Sequence, residues 1–455
     1  MPSSTSRAAI AAPIPLAAPV TSATRPASGA VGSAKVHKLP TRSLLLYDAY
    51  QLRDDLFAPI RGLTRAGGEA MRLLPEPLLG SPIVRLALAG AELTRFAGLR
   101  HERPSFDIDT VTIGDDSVAV RERPALITPF ATLLHFEKAA ASPGPRVLLV
   151  APLSGHYATL LRATVRTMLP EHDVYVTDWH NARDVPVEHG RFGLDEYIEH
   201  LITFLGVVGE GPHLVAVCQP CAPALAATAL MAQDGAQCTP RSLTLMAGPV
   251  DARVNPNAIN AFSETHSIDW FKRHMLSRVP ARYAGAGRHV YPGFIQAAAF
   301  IGMNPNRHAS AFQQLFVDVA VGNDDRAQRT KSFYEEYLAV LDLTGEFYLD
   351  TVERIFQRHE LATGEFEWRG RVVDPAAIED VTLLTIEGEN DDISAIGQTA
   401  AAHALCSGIP RERHHSHVQP DVGHYGVFSG RRWEASVYPL IRETIRAADG
   451  DAGGR

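Results

Sequence analysis

Hydrophobic and polar positions change their rhythm several times along this chain. From Leu44 to Leu99 the spacing is helical: Leu45, Tyr47, Tyr50, Leu52 and Leu56 fall on one predicted face, and Ile83 to Phe96 forms a second amphipathic run. Residues 106–137 alternate instead. Phe106, Ile108, Val111 and Ile113 are followed by Val118 and Val120 across the turn Gly114-Asp115-Asp116-Ser117, which predicts a hairpin entering a sheet. Continuous apolar runs then recur at Arg146–Ala151, Asp173–Asp178, His213–Val217 and Ser242–Ala247. Helical patterns at Tyr157–Met168, Leu194–Val207 and on to Met231 separate them. Buried strands joined by helical crossovers predict a mostly parallel, doubly wound sheet.

The alternation breaks over about 252–380. The pattern there is helical and rich in aromatics, among them Phe262, Trp270, Phe271, Tyr291, Phe347 and Tyr348. Most of these suit the core of an insertion, and some suit the inner face of a cap over an apolar cleft. The sheet resumes at Val381–Ile386 and closes with a strand near Glu412–Gln419 and a helix from Trp433. The expected organisation is a helical segment over 41–104, an α/β core formed by 105–251 and 381–447, and a helical cap over 252–380. Residues 1–34 hold 21 Ala, Ser and Pro with only Arg7 and Arg25 charged, so residues 1–40 are expected to be disordered, as are 448–455. A secretory leader is the rival reading of the first residues, but Pro13, Pro15 and Pro19 interrupt its apolar stretch.

Composition narrows the function classes. The 455 residues are 45% hydrophobic and 21% charged, an ordinary globular balance with room for a large core. A net charge of −8 and no Lys/Arg run argue against nucleic acid as a partner. Four cysteines are too few for a disulfide framework in so long a chain and suit a reducing compartment. No apolar run approaches the roughly 20 residues that span a bilayer, so no transmembrane segment is expected.

The chemistry concentrates where the third apolar run ends, at Ala216-Val217-Cys218-Gln219-Pro220. A strand before Cys218 and a helix after it form the layout of a nucleophile elbow, where a helix N-terminus favours a thiolate and offers backbone N–H groups to an oxyanion. An inert core cysteine is the plain alternative. G-x-S-x-G elbows have glycines where this chain has Ala216 and Pro220, which puts the tight turn in question. Cys218 and Cys221 also make a C-x-x-C pair, a redox motif in other settings, yet two strand–helix units precede it here, unlike a thioredoxin-like domain. No second ligand pair has zinc spacing, and neither a metal nor a cofactor is expected.

Downstream, Gly388-Glu-Asn-Asp391-Asp392 follows a strand, and Gly423-His424-Tyr425 lies in a loop before the last helix. A carboxylate at a strand end can accept the Nδ1 proton of a histidine and stabilise its imidazolium. Asp391, three residues after Gly388, is favoured over Asp392; the alternative role for either is a helix N-cap. Gly423 and Gly426 give His424 a loop freedom that His414, His415 and His417, on a probable strand, lack. Nucleophile, acid, histidine is the chain order of α/β-hydrolases, so the expected fold is an α/β-hydrolase with a helical cap insertion. Backbone groups near Ser154 and Gly155, after the first run, are expected to join Gln219 in an oxyanion hole. Ser154 is a second nucleophile candidate without elbow context, and the same segment reads plainly as a helix-capping turn.

These residues resemble the intracellular polyhydroxyalkanoate (polyhydroxybutyrate) depolymerase family. The matching runs are Leu148–Arg162, Ala216–Pro220, Leu383–Ile393 and Val422–Gly430, and the likeness extends from about Leu44 to Ile445. The resemblance implies cysteine-dependent hydrolysis of amorphous storage polyester on granules in the cytoplasm, with Cys218, Asp391 and His424 as the triad. It implies a 3-hydroxyacyl thioester on Cys218 that water then releases, and exposed cap aromatics as an adhesive surface. Cys221 stands where the family carries another residue. A polyhydroxyalkanoate synthase, a non-catalytic granule-binding protein and a C-x-x-C redox protein are the alternatives. The synthases have glycines flanking their cysteine and a histidine after their aspartate, which this chain lacks. A homo-oligomer is left open.

Overall fold

The computed structural model describes residues 42–139 and 144–453. The tail expected over 1–40 lies outside the described residues. Nine strands form the central sheet: β1 (Thr110–Ile113), β2 (Asp116–Ile127), β3 (Ala131–Lys138), β4 (Arg146–Val150), β5 (Asp173–Trp179), β6 (His213–Val217), β7 (Ser242–Met246), β8 (Thr382–Gly388) and β9 (His414–Gln419). Their order is β1-β2-β3-β5-β4-β6-β7-β8-β9. The first three strands and β5 pair antiparallel, around the expected turn at Gly114, and the rest pair in parallel. This is the expected α/β-hydrolase architecture.

The apolar runs are continuous because both sheet faces are covered. Leu148, Val150, Leu214, Ala216, Leu243 and Leu245 face the helices Leu194–Val208 and Cys221–Gln233 on one side. Val147, Leu149, Val215, Val217 and Ile386 face Arg162–Met168 and the C-terminal helix Tyr438–Gly453 on the other. That last helix corrects the disorder expected from residue 448. Asp449 is ion-paired to Arg241 at 2.6 Å and lies 3.3 Å from His213, which anchors the final turns.

Two further expectations change. The helix α1 (Arg42–Arg72) does not bury the face carrying Leu52 and Leu56, which are 71% and 70% exposed. It docks through Tyr47, Gln51 and Asp55, spaced i, i+4, i+8. The Tyr47 hydroxyl donates to Asp342 at 2.5 Å, Tyr283 donates to Gln51 at 2.5 Å, and Arg282 pairs with Asp55 at 2.6 Å. A buried carboxylate demands a donor, so the polar side turned inward. Second, the segment 252–380 is not helical throughout. Ser277–Arg278, His289–Tyr291 and Leu343–Thr344 form a small antiparallel sheet, and Glu367–Trp368 pairs with Arg371–Val372. Strands of two or three residues leave no readable period.

The longer helices of that segment include α3 (Gly293–Met303), α4 (Pro305–Val321) and α5 (Asp324–Tyr337); α2 (Pro82–Arg95) is the second long N-terminal helix. Most aromatics of this segment are core, as expected: Phe271, Tyr291, Tyr334, Tyr337 and Phe347 are all buried, which leaves few to serve as an adhesive surface.

Candidate active site

Strand β6 ends at Val217, and the helix behind it begins at Cys221. Between them the chain reverses at Cys218, whose φ of +68° is a left-handed conformation that a side chain adopts only under constraint. Two backbone bonds supply the constraint: Cys218 N–H donates to Met246 at 2.7 Å, and Cys221 N–H donates to the Cys218 carbonyl at 3.1 Å. The space for the turn comes from a glycine on the next strand's loop rather than from flanking glycines. A Cβ on Gly248 would lie 1.9 Å from the Cys218 carbonyl oxygen and 2.4 Å from Cys221 Sγ. Cys218 is partly exposed, whereas Cys221 is buried beneath the turn. Burial, reinforced by the neighbouring Cys218, pushes the Cys221 thiol up, and its sulfur sits 3.6 Å from the carbonyls of Ala216 and Met246. Cys221 therefore packs as a core thiol, and both cysteines are free.

After β8, Asp391 uses its two oxygens separately. Oδ1 accepts the backbone N–H groups of Ile393 at 2.8 Å and Ser394 at 2.9 Å, while Oδ2 lies 2.8 Å from Nδ1 of His424. The helix expected to start after this aspartate is absent, the next one beginning at Ala402, so Asp391 caps a turn at Ile393–Ser394 while its other oxygen partners His424. Asp392 points elsewhere, toward the Asn304 amide at the start of α4. His424 follows β9 in a short turn over His424–Val427 and is 5% exposed. His414, on the strand itself, bonds His403 at 2.8 Å instead. Burial alone would depress the basicity of His424. The neighbouring Cys218 and the Asp391 carboxylate that bonds the ring outweigh it and hold its pKa well above the ordinary histidine range. The fold therefore brings Cys218, Asp391 and His424 together from the ends of three strands.

The segment Ala151–Tyr157 runs beside this cluster. The Leu153 N–H donates to Oε1 of Gln219 at 3.3 Å, tying that loop to the elbow. Ser154 lies one residue on, followed by Gly155 at φ +98°, whose absent Cβ leaves room for Gln296 of α3. Above His424 a narrow cleft is lined by Phe300, Met303, Arg307, Phe333, Tyr337 and Tyr425, so residues of the segment 252–380 lie over the histidine.

Sequence reading missed three supporting residues, Glu387, Thr399 and Gly248. Glu387, 2% exposed on β8, accepts the backbone N–H groups of Gly397 at 2.9 Å, Thr399 at 2.8 Å and Ala400 at 3.2 Å. It closes the loop that carries Asp391. Thr399 then exchanges hydrogen bonds of 2.8 and 2.9 Å with Gly248, linking that loop to the elbow. A carboxylate inside an otherwise apolar strand was the available signal. For Gly248 there was only its place at a strand's end.

Residues 247–449 match the family described as "PHB de-polymerase C-terminus". No curated protein matches the chain. Similar solved structures include a thermophilic esterase from Thermogutta terrifontis, 17% identical over 72% of this chain and 98% of that one, with a TM-score of 0.38. A hydrolase from Pseudomonas aeruginosa PA01 is 13% identical over 73% and 98%, with a TM-score of 0.40. A 2-hydroxy-6-oxo-6-phenylhexa-2,4-dienoate hydrolase from Rhodococcus sp. strain RHA1 is 15% identical over 72% and 99%, with a TM-score of 0.35.

Proposed function

We propose, for a chain whose residues 247–449 belong to the PHB de-polymerase C-terminus family on an α/β-hydrolase fold, that it hydrolyses the ester bonds of amorphous polyhydroxyalkanoate. The observation that carries this reading is the Cys218–His424–Asp391 contact series at the ends of β6, β9 and β8. A thiolate held beside an imidazolium is a ready nucleophile, and the strained turn at Cys218 leaves its side chain partly exposed beside the histidine that lines the cleft. The sulfur attacks an ester carbonyl of the polymer, giving a tetrahedral oxyanion that accepts hydrogen bonds from the Gln219 N–H and from the Ser154–Gly155 loop. Collapse breaks the ester C–O bond. The His424 imidazolium gives its proton to the departing alkoxide, leaving a 3-hydroxyacyl thioester on Cys218. The neutral ring then takes a proton from water as that water attacks the thioester, and the acid leaves as the thiolate–imidazolium pair re-forms. Asp391 keeps the Nδ1 proton in place throughout.

No helix among the described residues is long and apolar enough to cross a membrane. A free thiolate nucleophile suits a reducing compartment, and on this reading the enzyme works in the cytoplasm at the granule surface. The deciding experiment compares release of 3-hydroxybutyrate and its oligomers from amorphous polyhydroxybutyrate granules by the wild type and by Cys218→Ala. Release that collapses in the variant supports the reading. Unchanged release moves the nucleophile to Ser154, and polymer formation from 3-hydroxybutyryl-CoA would replace hydrolysis with synthesis.

A further inference from the structure

Among the described residues, twenty large apolar side chains are exposed, and ten of them lie between Leu46 and Leu86. On α1, Leu52, Leu56, Ile60 and Leu63 are spaced i, i+4, i+8 and i+11, which places them on one side of the helix. They are 71%, 70%, 55% and 76% exposed. Because α1 docks through Tyr47, Gln51 and Asp55, this stripe faces away from the body of the protein. Leu73, Leu78, Ile83 and Leu86 continue the apolar surface beyond the helix end into α2. Concentrated exposure of this kind marks a contact surface rather than ordinary scatter.

We propose that this outer face of α1 and α2 is the surface by which the protein lies on its polyester. The proposal rests on the polyester-hydrolase reading above. Two observations select the occupant. The first is charge. Helices that lie on anionic lipid carry free Lys and Arg on their polar side. Here Arg61, Arg65, Arg72, Arg85 and Arg95 each face a carboxylate, on Asp54, Glu69, Glu92, Asp324 and Glu335 respectively, and Arg53 is the one arginine of residues 43–95 outside these pairs, a stretch whose six arginines are matched by six Asp and Glu. A neutralised surround suits an uncharged aliphatic polyester. The second is proximity. Phe57 and Ile60, at the edge of the stripe, enter a groove walled by Tyr50, Phe96, Phe294 and Ile301, with Arg53, Asp54 and Arg61 at its α1 side. Its opposite wall is α3, which has no charged residue and whose Phe300 and Met303 line the cleft over His424. A surface separated from the reacting groups by one helix is placed to hold a polymeric substrate. With the cap aromatics largely buried, adhesion moves to the N-terminal helices.

The test uses the full chain carrying Leu52→Gln, Leu56→Gln and Leu63→Gln together. All three side chains are exposed and far from the triad, so hydrolysis of a soluble 3-hydroxybutyrate trimer should stay at the wild-type rate. Sedimentation with protein-free amorphous polyhydroxybutyrate granules should show at least about tenfold weaker partitioning, from three partly buried leucines lost at the contact. Granule hydrolysis should fall in parallel. Unchanged partitioning overturns the proposal. So does equal binding of the wild type to phosphatidylglycerol vesicles, or a wild-type dimer in sedimentation velocity that the substitutions dissociate. Failure of the hydrolase reading shows separately, as a wild type that does not cleave the trimer; partitioning is still read in that case, and in the Cys218→Ala background.

Discussion

Replacing Asp391 by Asn changes one atom and separates the two tasks of that side chain. Oδ1 receives the N–H groups of Ile393 and Ser394, so in the amide it stays the oxygen. The new NH2 group then lies where Oδ2 was, 2.8 Å from Nδ1 of His424. An amide nitrogen donates, so Nδ1 must accept, and the neutral ring carries its proton on Nε2, the nitrogen left to face Cys218. It can no longer take the thiol proton. In a serine triad the equivalent change costs about 10⁴ in kcat. A thiol depends less on its base, so about 10²- to 10³-fold is expected here, roughly 2.7–4 kcal/mol at 1.36 kcal/mol per decade. The loop should stay folded because both backbone bonds survive, and Tm should move little. Loss of the carboxylate also lowers the pKa of the His424 ring, since Asp391 is one of the groups holding it up. The alkaline limb of the rate profile, where imidazolium is lost, should shift to lower pH. Initial rates on a soluble trimer across pH, with thermal melts, read all of this. Asp392→Asn serves as the control, with less than about a tenfold loss expected because its carboxylate meets Asn304 on the cleft rim. An Asp391→Asn enzyme retaining more than a tenth of wild-type kcat/KM, or an Asp392→Asn enzyme equally damaged, would refute the assignment.

Three further outcomes follow from the same geometry. Gly248→Ala places a methyl carbon 1.9 Å from the Cys218 carbonyl and must shift the elbow; a loss of about 100-fold in kcat is expected, and an active variant would show that the turn does not depend on that space. Glu387→Ala strands three backbone donors, that of Thr399 buried and those of Gly397 and Ala400 half-buried, and should cost about 3 kcal/mol in urea unfolding together with activity; an unchanged urea midpoint would contradict its role in closing the Asp391 loop. His156 and His172 are each 2% exposed, and burial holds both at about 4. Unfolded rings bind protons from about pH 6.5 downward while the folded ones do not until about 4, so stability is lost on acidification through that window, by about 2.7 kcal/mol per pH unit near pH 5. Urea midpoints that stay flat from pH 7 to 5 would rule this out.

Local pattern carried much of the architecture. A parallel strand covered on both faces must be apolar throughout, so β4 to β8 could be read directly from runs such as Arg146–Val150 and His213–Val217. The candidate site was legible for the same reason: in this fold the reacting groups sit at strand ends, and Cys218, Asp391 and His424 each follow a recognisable run within a few residues. Questions that depend on partners distant in the chain were decided only in three dimensions. Spacing from Gly388 favoured Asp391 over the adjacent and chemically equal Asp392, but only the position of a histidine 33 residues away makes it the partner. Ala216 and Pro220 looked unsuited to a tight turn until Gly248, from another strand, supplied the room. The positions of α1 read as one face divide in the structure, Tyr47 packed inward and Leu52 and Leu56 turned out, because periodicity has no knowledge of what lies beside a helix. The buried carboxylate of Asp342 claimed Tyr47 and, with Tyr283 and Arg282, turned the polar side inward and left Leu52 and Leu56 facing out.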